Sequence, residues 1–88
     1  MGENMKGKVV ISNKDFVFAA IACEDRDILI VEALDGDRIN LGDKFNTRGL
    51  GYADQGRMRN IATGEEVEVL VQDVVSTVEE AARKCQGR

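Results

Sequence analysis

Cys23, Cys85, Ser12, Thr63 and Ser76 are the first side chains to weigh as nucleophiles in this 88-residue chain. Acyl or phosphoryl chemistry at any of them needs a base to take a proton. The chain has no histidine, so the commonest general base at neutral pH, also a favoured metal ligand, is missing. The carboxylates Glu65 and Glu66 adjoin a turn at solvated positions. Gly49-x-Gly51 has a phosphate-loop flavour but no helix start follows it. Cys23 and Cys85 lack the C-x-x-C or Cys/His partners of a redox or zinc site and read as buried free thiols. Asp35-x-Asp37-x-x-Asn40-x-x-Asp43 invites a calcium reading. Counted from Asp35, however, position 5 is Ile39 and position 12 is Asn46, where an EF-hand needs an oxygen ligand and a glutamate. Two Asp-bearing turns account for the segment. These residues point away from catalysis, and to no metal or cofactor.

Binding has a better candidate. The net charge of −4 is unevenly spread: residues 44–60 carry Lys44, Arg48, Arg57 and Arg59 against Asp54 alone. With Phe45 and Tyr52 nearby and glycines at 49, 51 and 56, the segment joins cations to rings in a flexible setting. Single-stranded nucleic acids are held that way, with arginine on phosphate and ring on base. Phe45, Arg48, Tyr52, Arg57 and Arg59 are therefore the candidate binding residues. The alternative is that the arginines pair with neighbouring acids on a solvated surface. An acidic remainder repels bulk nucleic acid, and a barrel of short strands often leaves an edge or apolar groove open, which favours a protein partner or a second copy of the chain.

The elements that must position these residues are short strands. Lys8–Ser12 is rich in β-branched residues. After a Ser12–Asp15 turn, Phe16–Cys23 is apolar on both faces, so it is central or covered twice, and its alanines let another element approach closely. Glu24–Asp27 forms a charged hairpin tip, leading into Ile28–Leu34. Turns at Asp35–Asp37 and Gly42–Asp43 precede a short strand over Lys44–Thr47. Arg48–Gly56 is a loop, Arg57–Ile61 is extended, and Ala62–Glu65 turns into Glu66–Val71, where Val67, Val69 and Val71 alternate with polar residues.

A helix over 76–86 closes the chain. Ser76 is its N-cap with Glu79 at N3, Val78, Ala81, Ala82 and Cys85 form its apolar stripe, and Gly87 stops it. About ten residues cannot hold a helix alone, so the stripe must dock. Residues 1–5 read as a frayed end. Five to six short strands in one 88-residue domain predict a mainly β fold. A small antiparallel barrel, OB-like or SH3-like, hides the strand edges economically.

The N-terminus, Met1 to Lys8, is polar and lacks a signal-peptide core, and the longest apolar run, Phe16–Cys23, is too short to cross a bilayer. A cytoplasmic protein with no membrane partner is the expectation. Arg59-Asn60-Ile61-Ala62-Thr63-Gly64-Glu65 resembles the DNA-embracing arm of bacterial histone-like DNA-bending proteins, with Ile61 where that family intercalates a proline; the shared part is turn chemistry. More broadly, Met5-Lys6-Gly7-Lys8-Val9-Val10, Val31–Asp37 with Leu41-Gly42-Asp43, and Asn60-x-x-Thr63-Gly64-Glu65 leading to Val71-Gln72-Asp73 resemble a group of short, functionally unassigned bacterial β-barrel proteins. That resemblance implies a barrel and a bacterial origin and brings no activity with it.

Overall fold

Alternation of apolar and polar residues drives this chain into strands, and the ring they form closes on itself. The computed structural model describes residues 5–13, 18–34, 39–85. The turn at residues 14–15, the first two residues of the Phe16–Cys23 strand, the Asp35–Asp37 turn and the Gly87 stop lie outside them. The elements are β1 (Lys6–Asn13), β2 (Phe18–Cys23), β3 (Ile28–Ala33), β4 (Lys44–Asn46), β5 (Gln55–Asn60), β6 (Glu66–Val75) and α1 (Val78–Lys84). The strands pair antiparallel in the closed order β1-β2-β3-β6-β5-β4, with β4 returning to β1. The expected mainly β barrel with one C-terminal helix is what forms.

Strand stagger closes the ring. From Gly7, one path runs through Cys23 towards the Ile28–Val75 end of β6. The other runs through Phe45 and Asn60 to Glu65, at the opposite end of β6. Such an offset tilts the strands and lets a few of them enclose a filled interior. Two bulges sharpen the bend: Val10 is the extra residue in β1 and Gln72 in β6.

There are two apolar clusters. Inside the barrel, Val9, Ala19, Ile21, Leu29, Val31, Phe45, Met58, Val67, Val69 and Val71 pack together. Outside it, Ala20, Ile28, Ile30 and Val75 meet Ala81 and Cys85 of α1. This explains the two-faced β2: Ala19 and Ile21 point in, while Ala20, fully buried, lies in the cluster that α1 completes. The Asn13 side-chain amide donates to the Cys85 carbonyl (2.6 Å), and Lys84 pairs with Asp73 (2.7 Å), fastening the helix at its C-terminal end.

Some details differ from the sequence reading. The N-cap is Thr77, whose hydroxyl accepts from the Glu80 N–H (3.2 Å), one residue later than Ser76. Both residues can cap, and β6 runs on to Val75; of the expected stripe Ala81 and Cys85 are buried, while Val78, the first helical residue, stays 54% exposed. β6 outlasts the expected Val71 because the bulge at Gln72 resets its alternation, sending Val74 inward and Val75 under α1. Met5 is not frayed: its carbonyl accepts from both the N–H and the hydroxyl of Thr47.

Candidate binding face

β1, β4 and β5 are neighbours in the ring, and their outward residues form one face. Lys6 and Lys8 alternate outward on β1 around buried Gly7; Lys44 is exposed at the start of β4; Arg57 and Arg59 alternate outward on β5 around buried Met58. The ladders set them side by side. Lys8 lies directly opposite Lys44, Lys6 opposite Asn46, and Asn46 opposite Arg59. These three strands carry no carboxylate at all. Most acids lie elsewhere: Glu24, Asp25 and Asp27 at the β2–β3 tip, Glu32, Glu66, Glu68 and Asp73 on β3 and β6, and Glu79 and Glu80 on α1, while Asp43, Asp54 and Glu65 sit in the turns that flank β4 and β5. A net-acidic chain thus presents one basic side.

At the β6 margin the basic side is tied down. The Arg48 guanidinium donates to Glu66 at 2.7 Å, and Arg57 approaches the other Glu66 oxygen at 3.7 Å. The Arg48 hydrogen bond, followed by its charge, holds the Glu66 carboxyl below the usual carboxylate range. On the ladder, Arg59 faces Glu66 and Arg57 faces Glu68. Pairing with neighbouring acids, the alternative in the sequence reading, therefore describes Arg48 and Arg57.

The loop between β4 and β5 is braced. Its left-handed residues are Arg48, Gly49 and Ala53. Asp54 accepts from the Gly51 N–H (2.7 Å), and Leu50 is half-buried against the inner core. Tyr52 stands 70% exposed on it. Phe45 does not belong with it. Its ring is fully buried inside the barrel, because β4 alternates about it and sends Lys44 and Asn46 outward. Of the five sequence candidates, the structure keeps Arg48, Tyr52, Arg57 and Arg59 on the surface and removes Phe45.

At the β1 end of the face lies a groove of about 290 Å³, lined by Lys6, Gly7, Lys8, Ala22, Cys23, Glu24, Lys44 and Ile61. Ile61 is a large apolar side chain left 47% exposed. Sequence reasoning missed Lys6, Lys8 and Ile61. The signal was the Lys6-x-Lys8 spacing, which puts both amines on one side of a strand.

At Cys23 burial outweighs the one contact that favours its thiolate, the Thr47 hydroxyl. Burial, with help from Asp25, pushes the Cys23 thiol up to about 11, and burial also raises Cys85. Both are free, and they sit in separate clusters. Ser12 donates to the Ile39 carbonyl, and Thr63 accepts from the Glu65 N–H. Around Thr63 the turn is fully specified: Asn60 accepts from the N–H groups of Ala62 and Thr63, and Gly64 takes a φ of 80°. That local geometry accounts for the Asn60-x-x-Thr63-Gly64-Glu65 pattern. No helix among the described residues is long and apolar enough to cross a membrane. Comparison with known proteins finds no matching family model, no matching curated protein and no matching solved structure.

Proposed function

We propose that this chain is a non-catalytic barrel module that works by binding another protein, with the β1–β4–β5 face as its contact surface. The observation that carries the reading is the segregation of charge: five cations face outward from three adjacent strands without a carboxylate on those strands, in a chain of net charge −4. Unspecific solubility calls for mixed charges, whereas a one-signed face steers and orients a complementary partner. The high thiol pKa of Cys23 and the occupied hydroxyls of Ser12 and Thr63 support a non-catalytic role. The strand-edge motive for a second copy loses support, since the ring is closed and α1 packs on β3 and β6 with Ala20 of β2 in the same cluster. An acidic partner protein is therefore the occupant we propose. An SH3-like barrel type goes with this reading, as such barrels dock peptides on their surface.

A second reading rests on exposed Tyr52 beside Arg57 and Arg59: an OB-like module holding single-stranded nucleic acid through the Arg48–Arg59 segment. Backbone-amide NMR separates the two. Titration with polyglutamate at low salt is expected to shift residues of β1, β4 and β5 saturably. Oligo(dT) or oligo(U) shifting Arg48–Arg59, with polyglutamate silent, would replace the first reading by the second. Silence towards all three would overturn both.

A further inference from the structure

The groove at the β1 end of the face is more specific than the face itself. Lys8 and Lys44 are direct cross-strand partners, both exposed, and among the described residues neither makes an ion pair. Like charges opposite one another destabilise a sheet. Arg57 and Arg59, by contrast, face Glu68 and Glu66. Lys6 adds a third amine to the groove wall, and the one acid there, Glu24, lies at the rim with its carboxylate 3.5 Å from the Lys6 backbone nitrogen.

Between the amines the lining is apolar, formed by Gly7, Ala22, Cys23 and Ile61, and it contains no aromatic ring. A base would find nothing to stack on. A carboxylate-bearing segment with one aliphatic side chain would match both the charge and the floor. Both edges of β1 are already paired, with β2 and with β4, so the occupant cannot add as a further strand and must be read through side chains.

We propose that this groove takes an extended acidic segment of the partner protein, one aliphatic side chain of which lies on Ala22 and Ile61 while its carboxylates meet Lys6, Lys8 and Lys44. This rests on the protein-binding reading above and adds the place and chemistry of the contact. The volume of about 290 Å³, near the lower bound of ordinary ligand pockets, suits a side chain with its flanking residues rather than a folded surface.

The test is fluorescence anisotropy at low salt with a labelled short peptide of aspartates and glutamates flanking one leucine. A serine-for-leucine peptide and oligo(dT) serve as comparison probes. The parent protein is expected to prefer the leucine peptide to both. Lys8→Glu and Lys44→Glu should each weaken it about tenfold, from a lost surface attraction and an added repulsion. Ile61→Ser should erase the preference for leucine over serine. Lys8→Gln, with a smaller loss of the same sign, guards against misfolding, and each variant is checked by its amide spectrum. Binding that survives Lys8→Glu and Lys44→Glu but falls with Arg57→Glu/Arg59→Glu would overturn the groove while leaving the face reading intact. Failure of both peptides with oligo(dT) bound would overturn the groove and the protein-binding reading together.

Discussion

Replacing Phe45 by alanine separates two roles for one side chain. A ring at a binding surface can be removed with little effect on stability, within about 0.5 kcal/mol. The structure instead buries this ring completely, among Val9, Ile21, Met58 and Val67 in the inner cluster. Truncating a buried phenylalanine costs about 3–5 kcal/mol, from lost transfer free energy and from the cavity left behind. The upper part of that range fits here, because the ladder neighbour on β1 is Gly7, which has no side chain to move into the space. Domains of this kind are stable by only about 5–15 kcal/mol, so the variant should be close to unfolding. In urea, with a slope of about 1 kcal/mol per molar for a chain this small, the midpoint should fall by roughly 4–5 M. Phe45→Leu keeps most of the volume and should lose much less. Urea melts followed by circular dichroism and by a core amide resonance give the answer. A loss under about 1 kcal/mol for Phe45→Ala, with a native-like spectrum, would refute the inner-core placement and return Phe45 to the binding surface.

Gly7→Ala is expected to destabilise by about 1 kcal/mol in the same assay: its Cβ would lie 2.6 Å from Ile21 Cγ2 and 3.1 Å from the Ala22 carbonyl oxygen, and overpacking outweighs the reduced entropy of the unfolded chain. The hydrogen bond from Lys84 holds Asp73 below its usual range, so the stabilisation this carboxylate gives is present above the unfolded value near 4 and is lost as pH falls through the lower folded value. Acid melts of Asp73→Asn should therefore show a shallower loss of stability below about pH 4, and a slope equal to the parent's would exclude that contact. For the thiols the sign is opposite. Cys23 is raised to about 11, so its contribution is complete below the unfolded value near 8.5 and disappears as pH rises towards 11, a loss that Cys23→Ala should flatten. Cys85, the C-cap of α1, is 1% exposed and should stay unlabelled by a thiol reagent at pH 8 until urea is added, and rapid labelling of the native protein would mean that the end of α1 does not dock on the sheet.

Much of the fold is legible because local and long-range signals agree in it. The valines at 67, 69 and 71 alternate, and they fill the barrel. β2 is apolar on both sides, with Ala19 in the inner cluster and Ala20 in the cluster that the helix completes. The turn at Asn60–Glu65 carries its own hydrogen-bond partners. The failures come where a residue type permits two placements. Phe45 has the chemistry of a contact ring, but β4 needs a large side chain inside. Ser76 and Thr77 are both competent caps, and only the length of β6 decides between them. Val78 fits the helical stripe by spacing, but it is the first helical residue and stays exposed. The Lys6-x-Lys8 spacing was legible, but its meeting with Lys44 was not: that exists only after β4 returns to β1, and no periodicity along the chain encodes the closure.

A protein is expected to satisfy its local rules nearly everywhere and to break them where something else is gained. Among the described residues, no buried side-chain nitrogen or oxygen lacks a hydrogen bond. On the β5–β6 ladder each arginine faces a glutamate. The Lys8–Lys44 pair departs from that pattern. Either lysine could be a glutamate without disturbing the interior, since both side chains leave the barrel, and the pair would then attract across the strands instead of repelling. Lys44→Glu should accordingly stabilise the isolated protein, by a few tenths of a kcal/mol, while weakening the peptide binding proposed for the groove about tenfold. Stability and binding moving in opposite directions under one substitution is the signature of a site. If Lys44→Glu leaves binding intact while raising stability, the pair is an ordinary surface accident and the groove has no claim to a partner.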